Sequence, residues 1–300
     1  MAQEWHLAVQ GHNQKTKMNT LYNVRILEDA ERAGIHDATK LLQEDLEDAP
    51  YSRLTEEYAD FKALIKEITD SFAKRSQSPG DLKKVSKQLD NVLSALRAFD
   101  DRTKHNLSQR YGKESEKFLL FGTALSEEFD NNFAYRFSCQ LRNYSQHTGS
   151  TITNIQAGGH INGTSYCNPT FDSRELLAKY KKWQSQVKKD LAAINGEFSA
   201  IAIVDSMVQS CTRAYCKLLL ALEPDLKPAM ETIRSFANEA LKDSAEPDML
   251  RKPIILGLTR KDDGNYDMAT LNIIPVRVDL MANAESAYRQ ANGILGSQTT

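Results

Sequence analysis

The sequence predicts a mainly α protein: a helical bundle with a small C-terminal β-hairpin and a short N-terminal β element. Three observations predict it. Apolar residues recur at intervals of three and four through most of the chain, the spacing that lays one stripe along an α-helix. The period changes at Pro253–Val278, where two apolar runs flank Asp262-Asp263-Gly264-Asn265, a turn sequence between strands. A chain of 300 residues with 41% hydrophobic and 26% charged side chains also carries enough apolar surface for a substantial core.

At the N-terminus, Leu7-Ala8-Val9 and Tyr22–Leu27 read as short strands on either side of a polar stretch. From Asp37 onward the pattern is helical. Pro50 separates a first segment from Leu54–Phe72, which puts Tyr58, Phe61, Ile65, Ile68 and Phe72 on one face. A turn is expected at residues 76–80. The helix then resumes over Asp81–Tyr111, with Val85, Leu89, Leu96 and Phe99 in register and Gly112 as its stop. Glu114–His147 reads as a helix or helix pair with Gly122 as a candidate kink. Its last part carries Phe129, Phe133, Phe137, Leu141 and Tyr144, a stripe with steps of 4, 4, 4 and 3. Thr148–Thr170, rich in Gly, Asn, Ser and Thr, is expected to be a loop, flexible by composition at 158–163. Asp172 has Glu175 three residues on, the spacing of a capping box. The helix it opens carries Leu176, Leu177, Tyr180, Trp183 and Val187. Phe198–Leu222 is apolar nearly all round and reads as the central helix of a bundle. Pro224 and Pro228 are expected to break it before a further helix at 228–242, and Leu280–Asn292 is expected to be helical.

Charge and cysteine usage narrow the function classes. With 38 basic and 40 acidic side chains the formal charge is -2, so no global field attracts nucleic acid, and an RNA contact must come from a local patch. Cys139, Cys167, Cys211 and Cys216 form no CxxC pair and read as buried free thiols in a reducing compartment. No secretory signal pattern opens the chain. Asp205, Arg213 and Lys217 interrupt the apolar run at 201–222, so no membrane span is expected. A cytoplasmic location follows as the default. No Walker, Rossmann, nucleophile-elbow or HExxH signature is present. His and Cys residues do not cluster at ligand spacing, so neither a metal nor another cofactor is expected.

The stretch with the most chemistry ends the striped helix: Arg142-Asn143-Tyr144-Ser145-Gln146-His147. A bare pattern of Arg, four to six residues, His arises about once by chance in a chain of this composition, so its context carries the weight. A guanidinium can grip a phosphate with two parallel hydrogen bonds, and an imidazole titrates near neutral pH. Asn143 lies four residues before His147, on one helical face, where it can orient the ring. Arg142 lies five before it, about 140° around an ideal helix, so the pair meets one phosphate only if the last turn unwinds or the Arg swings. The structural alternative is that both cations simply favour the negative end of the helix dipole. Arg136, Lys104 and His105 are candidate substrate ligands, with surface or ion-pair roles as their alternatives. His160 is a candidate second base, although loop histidines usually carry no role. Trp183 and Tyr180 can stack on bases, but at helical spacing they also fit a core.

In these residues the chain resembles the HEPN superfamily, helical proteins whose signature is Arg, four to six residues, His. It is also similar to uncharacterised bacterial proteins with an RNYxQH stretch followed by LLxxYxxW, here Leu176, Leu177, Tyr180 and Trp183. The resemblance covers about half the chain and implies a HEPN-like bundle at 98–222, between a mostly helical region at 1–97 and a helix-plus-hairpin region at 223–300. It further implies a homodimeric, metal-independent endoribonuclease with a toxin or anti-phage role, in which Arg142, His147 and Asn143 are catalytic and RNA is the partner. Two alternatives stay open: a non-catalytic helical binding or scaffold protein, and a module that senses a nucleotide without cutting.

Overall fold

The structure, a computed structural model, describes residues 3–73, 80–148, 151–159, 165–242 and 249–297, with the side chains of 72, 73, 146–148 and 159 outside that description. His160 and most of the turn expected at 76–80 also lie outside the described residues. The chain divides into two compact units, one of Met1–Asp48 with Leu222–Gln290 and one of Ala49–Ala221 with Ala291–Thr300.

The first unit is built on a four-stranded antiparallel sheet of β1 (Gln3–Asn13), β2 (Asn19–Ile26), β6 (Met249–Arg260) and β7 (Tyr266–Pro275), in the order β2-β1-β6-β7. Mainly α holds for the chain, but its β content exceeds a small C-terminal hairpin and a short N-terminal element. The two hairpins join along β1 and β6, with Leu7 opposite Ile255 and Ala8 opposite Ile254. Both strands carry apolar side chains on both faces, which marks them as central, and pairing them satisfies backbone groups that separate hairpins leave open. Asn13 Oδ1 accepts from the Lys15 and Thr16 amides in the first turn, and Gly264, at φ +83°, takes the left-handed position in the second. Pro253 is tolerated inside β6 because its carbonyl accepts from Val276, just past the end of β7. Its missing N–H therefore points to where that neighbour has ended. Trp5, Leu7, Arg25 and Ile255 share one face by register. Arg25 on this face forks onto Glu31 of α1 (Asp29–Leu42) and Glu239 of α8 (Ala200–Leu241), and Arg32 of α1 lies over the Trp5 ring. A π-helical turn, Gln43–Glu47, and α9 (Val278–Gly296) complete the order of elements here.

Pro224 and Pro228 do not break α8, contrary to the sequence expectation. Each proline removes one helical hydrogen bond. Spaced four apart, both lie on one exposed side of the helix, where water reaches the freed carbonyls.

The second unit packs α2 (Pro50–Ala73), α3 (Asp81–Tyr111), α4 (Glu116–Asn131) and α5 (Phe133–Thr148) with the first turns of α8. The three charges that interrupt the apolar run of α8 each have a partner. Asp205 accepts from Tyr58 and Lys62 of α2, Arg213 forks onto Glu128 of α4, and Lys217 meets Glu127. Helix α4 runs without interruption through Gly122, and the break falls at Asn132, whose extended backbone ends α4 while its side chain accepts from the Tyr135 amide to start α5. Thr148–Thr170 is not simply a loop. It supplies β3 (Asn154–Gly159) and most of β4 (Ser165–Asp172), which pair with each other and then with β5 (Glu197–Ser199). Asp172 caps the following helix through the Arg174 and Glu175 amides, but that helix divides into α6 (Ser173–Lys179) and α7 (Ser185–Ile194). The division lets Trp183 turn inward, donate to the Leu176 carbonyl and stack on Phe137 and Tyr144. Trp183 and Tyr180 therefore belong to a ring cluster in the core.

Candidate functional site

The candidate site lies where α3, α4 and α5 meet. Helices α3 and α5 run antiparallel: Ser145 interacts with Asp90, and Cys139, earlier on α5, feels Asp100, Arg97 and Lys104, later on α3. Phe137, Leu141 and Tyr144, all within 2% of full burial, hold one side of α5 in the core. Its next side is left polar. Between it and α4 opens a cleft of about 450 Å³ whose polar lining includes Arg97, Asp100, Lys104, Gln140, Arg142 and Asn143.

Of the residues singled out from sequence, Arg142, Asn143 and Lys104 come together in this cleft. Among the described residues no carboxylate pairs with Arg142, and its Nε is buried without a hydrogen-bond partner. A buried donor left in that state costs about 1–3 kcal/mol, which an incoming anion relieves. Lys104 holds Asp100 at 2.6 Å, and Arg97 holds Asp101 at 2.7 Å with Asp100 at 3.9 Å. The lining thus has three cations, Arg97, Lys104 and Arg142, against one carboxylate, Asp100. Its charge favours an anion.

Arg136 is placed elsewhere. It is 8% exposed, its Nε donates to Asp190 of α7 at 2.8 Å, and its Nη1 donates to the Phe129 and Asp130 carbonyls at the end of α4. His105 is exposed on α3 and does not line the cleft. His147 sits in the last turn of α5, which stays helical through Thr148. Its backbone position is therefore about 140° around the axis from that of Arg142, because the turn has not unwound.

The remaining groups limit the chemistry. Burial, then the Asp100 charge, pushes the Cys139 thiol up to about 11, and burial also drives Tyr135 upward. Neither is a nucleophile or base near neutrality. At pH 8 Cys139 is expected to react with a disulfide reagent about two orders of magnitude more slowly than a model thiol, because its thiolate fraction is that much smaller. Fast labelling of the native chain at Cys139 would contradict this. Asp90 is raised by burial, despite its hydrogen bond with Ser145. Among the described residues no three His, Cys, Asp or Glu side chains converge as metal ligands.

Sequence reasoning missed Arg97, Asp100 and Gln140. The signal was present on α3, where 97, 100 and 104 step by three and four beside the apolar stripe and so share a face. Among the described residues no helix is long and apolar enough to cross a membrane. Comparison with family models, with curated proteins and with solved structures gives no match to this chain.

Proposed function

We propose that this cleft binds the phosphodiester of RNA and that the protein cleaves it without a metal, as the resemblance to HEPN proteins implies. The observation that carries the proposal is the Arg142 guanidinium, buried at Nε without a partner among the described residues in a cleft rich in cations. Arg142 grips two non-bridging phosphate oxygens and Lys104 adds a second charge, so the negative charge that grows on phosphorus in the transition state is stabilised. The ribose 2′-hydroxyl attacks phosphorus, the bond to the 5′ oxygen breaks, and a cyclic phosphate and a 5′-hydroxyl result. His147 takes the 2′-hydroxyl proton, and the same residue of a second copy protonates the leaving oxygen. A homodimer supplies that second group and answers the 140° separation on one helix, with the cytoplasm as the site of action.

The test is incubation of RNA with the full chain in chelator-treated buffer, using wild type, Arg142→Ala and His147→Ala with equal circular dichroism. Wild type is expected to leave cyclic phosphate ends, and each variant to lose at least ~100-fold in rate. Equal cleavage by all three, or none by wild type, refutes nuclease action. The helical last turn favours one other function, nucleotide binding without cleavage, because Arg142 acts there without His147. In that case Arg142→Ala weakens nucleotide binding in equilibrium dialysis and His147→Ala leaves it unchanged.

A further inference from the structure

The cleft at Arg142 is larger than a phosphate needs, and its far half is of a different kind. At about 450 Å³ it has the size of sites that hold whole small molecules. Its lining on α5 runs from Tyr135 to Asn143, and on α4 from Phe129 back to Gly122. The two helices fold back on each other at Asn132. Gly122 therefore stands at the Arg142 end and Phe129 at the Tyr135 end, seven residues or about 10 Å away. At the first end a methyl group on Gly122 would meet nothing beyond its own helix within 4 Å, which leaves the approach to Arg142 open. At the second end the lining is Leu125, Phe129, Tyr135 and Cys139, all apolar or uncharged.

Two side chains in this half make no ring contact or hydrogen bond with the rest of the described residues. Phe129 belongs by spacing to the stripe of Phe133, Phe137, Leu141 and Tyr144. The other aromatic members of that stripe pack ring against ring: Phe133 on Phe137 and Phe198, Phe137 on Phe171 and Trp183, and Tyr144 on Tyr180 and Trp183. Phe129 is half-buried at the cleft and, among the described residues, meets no other ring. Gln140 is also half-buried, and no described residue forms a hydrogen bond with its amide. The polar groups around it are engaged: Ser126 donates to the Gly122 carbonyl, and Lys104 holds Asp100.

We infer that this half is a base subsite in which, with the phosphate on Arg142, Phe129 stacks on an adenine and Gln140 reads its edge, so that the substrate class is the adenosine-phosphate units of an RNA strand. The inference rests on the phosphate grip proposed above. Three arguments select the occupant. The separation of about 10 Å along the helices leaves room for a ribose between a phosphate at one end and a ring at the other. A base laid flat on an aromatic side chain gains with its stacked area, which favours a purine over a pyrimidine. An amide then meets adenine at two points, its oxygen accepting from the exocyclic amine and its nitrogen donating to the adjacent ring nitrogen. Guanine presents two acceptors at the same edge and sets one of them against the amide oxygen.

The experiment is equilibrium dialysis of the full chain against inorganic phosphate, AMP, GMP and UMP, and then against short oligoadenylate and oligouridylate RNA. AMP is expected to bind wild type at least ~10-fold more tightly than phosphate or UMP, and oligoadenylate more tightly than oligouridylate. Gln140→Leu keeps the bulk and deletes the amide, and is expected to bring AMP and GMP to within about twofold of each other. Phe129→Ala is expected to lose at least ~5-fold in AMP affinity, while phosphate, which does not reach the ring, is held as in wild type. Should alanine alter the circular dichroism, Phe129→Leu keeps the apolar volume without a stacking face and is expected to lose the preference for AMP over UMP. Both residues leave Arg142 in place, so the two readings fail differently. Phosphate bound with AMP no tighter, a preference for GMP or UMP, or an AMP preference that survives the Phe129 and Gln140 variants overturns the base subsite and leaves the phosphate grip standing. Binding of neither phosphate nor AMP overturns both. Adenine preference among the mononucleotides with the two oligomers bound alike overturns the assignment to RNA.

Discussion

Arg136→Ala is expected to lower the unfolding free energy by about 3–5 kcal/mol, the cost of leaving a buried ion-pair partner without its mate. The cause is where the guanidinium ends. At 8% exposure it is removed from water, and it meets Asp190 and the carbonyls of Phe129 and Asp130. Those carbonyls belong to the last turn of α4, whose acceptors have no helical partner and carry the negative end of the dipole. Alanine deletes one cation and exposes three deficits together: a half-buried carboxylate, and two carbonyls at a helix end. Asp190→Ala is expected to cost less, because the carbonyl contacts survive and Gln186 loses only one acceptor. Urea unfolding followed by circular dichroism reads the effect as a lower midpoint at an unchanged slope. A midpoint within error of wild type would mean that Arg136 is held for a ligand instead, and would restore it as an RNA contact.

Arg136 and Arg142 show what the sequence could and could not convey. They lie six apart on one amphipathic helix, and periodicity alone does not separate them. Their roles diverge because of α7, which brings Asp190 to one of them across 54 positions, and a pattern read within one helix carries no such information. The buried stripe of Phe137, Leu141 and Tyr144 was legible for the opposite reason: hydrophobic burial is set by local spacing. Breaks were legible only when a single residue decides the backbone. Gly264 does so at its positive φ, and Asp172 does so by capping. Pro224 and Pro228 do not, because exposure of their side of α8 lets water replace the lost hydrogen bonds. Strands β3 and β4 escaped notice because their Gly, Asn, Ser and Thr content reads as loop, and the third strand, β5, starts 25 residues after Asp172. The cleft was half legible: the sequence offered Arg142, Asn143 and Lys104, but the wall made by Arg97 and Asp100 depends on how α3 and α5 align.

Phe137→Ala is expected to cost about 3–5 kcal/mol, the range for deleting a fully buried aromatic side chain. Phe137 has no exposed surface, and its ring centroid lies 5.4 Å from Phe133 and Phe171, 5.6 Å from Phe198 and 5.8 Å from Trp183. These neighbours come from α5, β4, β5 and the segment between α6 and α7, so one ring joins four parts of the unit. A helix running along a core can slide a little into a cavity, but a sheet and a turn fixed by their own hydrogen bonds close it poorly, which places the cost toward the upper end. Phe137→Leu refills most of the space and is expected to cost about 1–2 kcal/mol. Trp183 reports the difference directly, since it stacks on both Phe137 and Tyr144: the alanine variant is expected to change its emission in the native state, the leucine variant hardly at all. The same cluster seats α5, and α5 presents Arg142 and Asn143 to the cleft. Loss of ligand binding in Phe137→Ala with retention in Phe137→Leu would therefore trace the site's geometry to this packing, whereas an alanine variant as stable as wild type would show that the ring is not what fixes the helix.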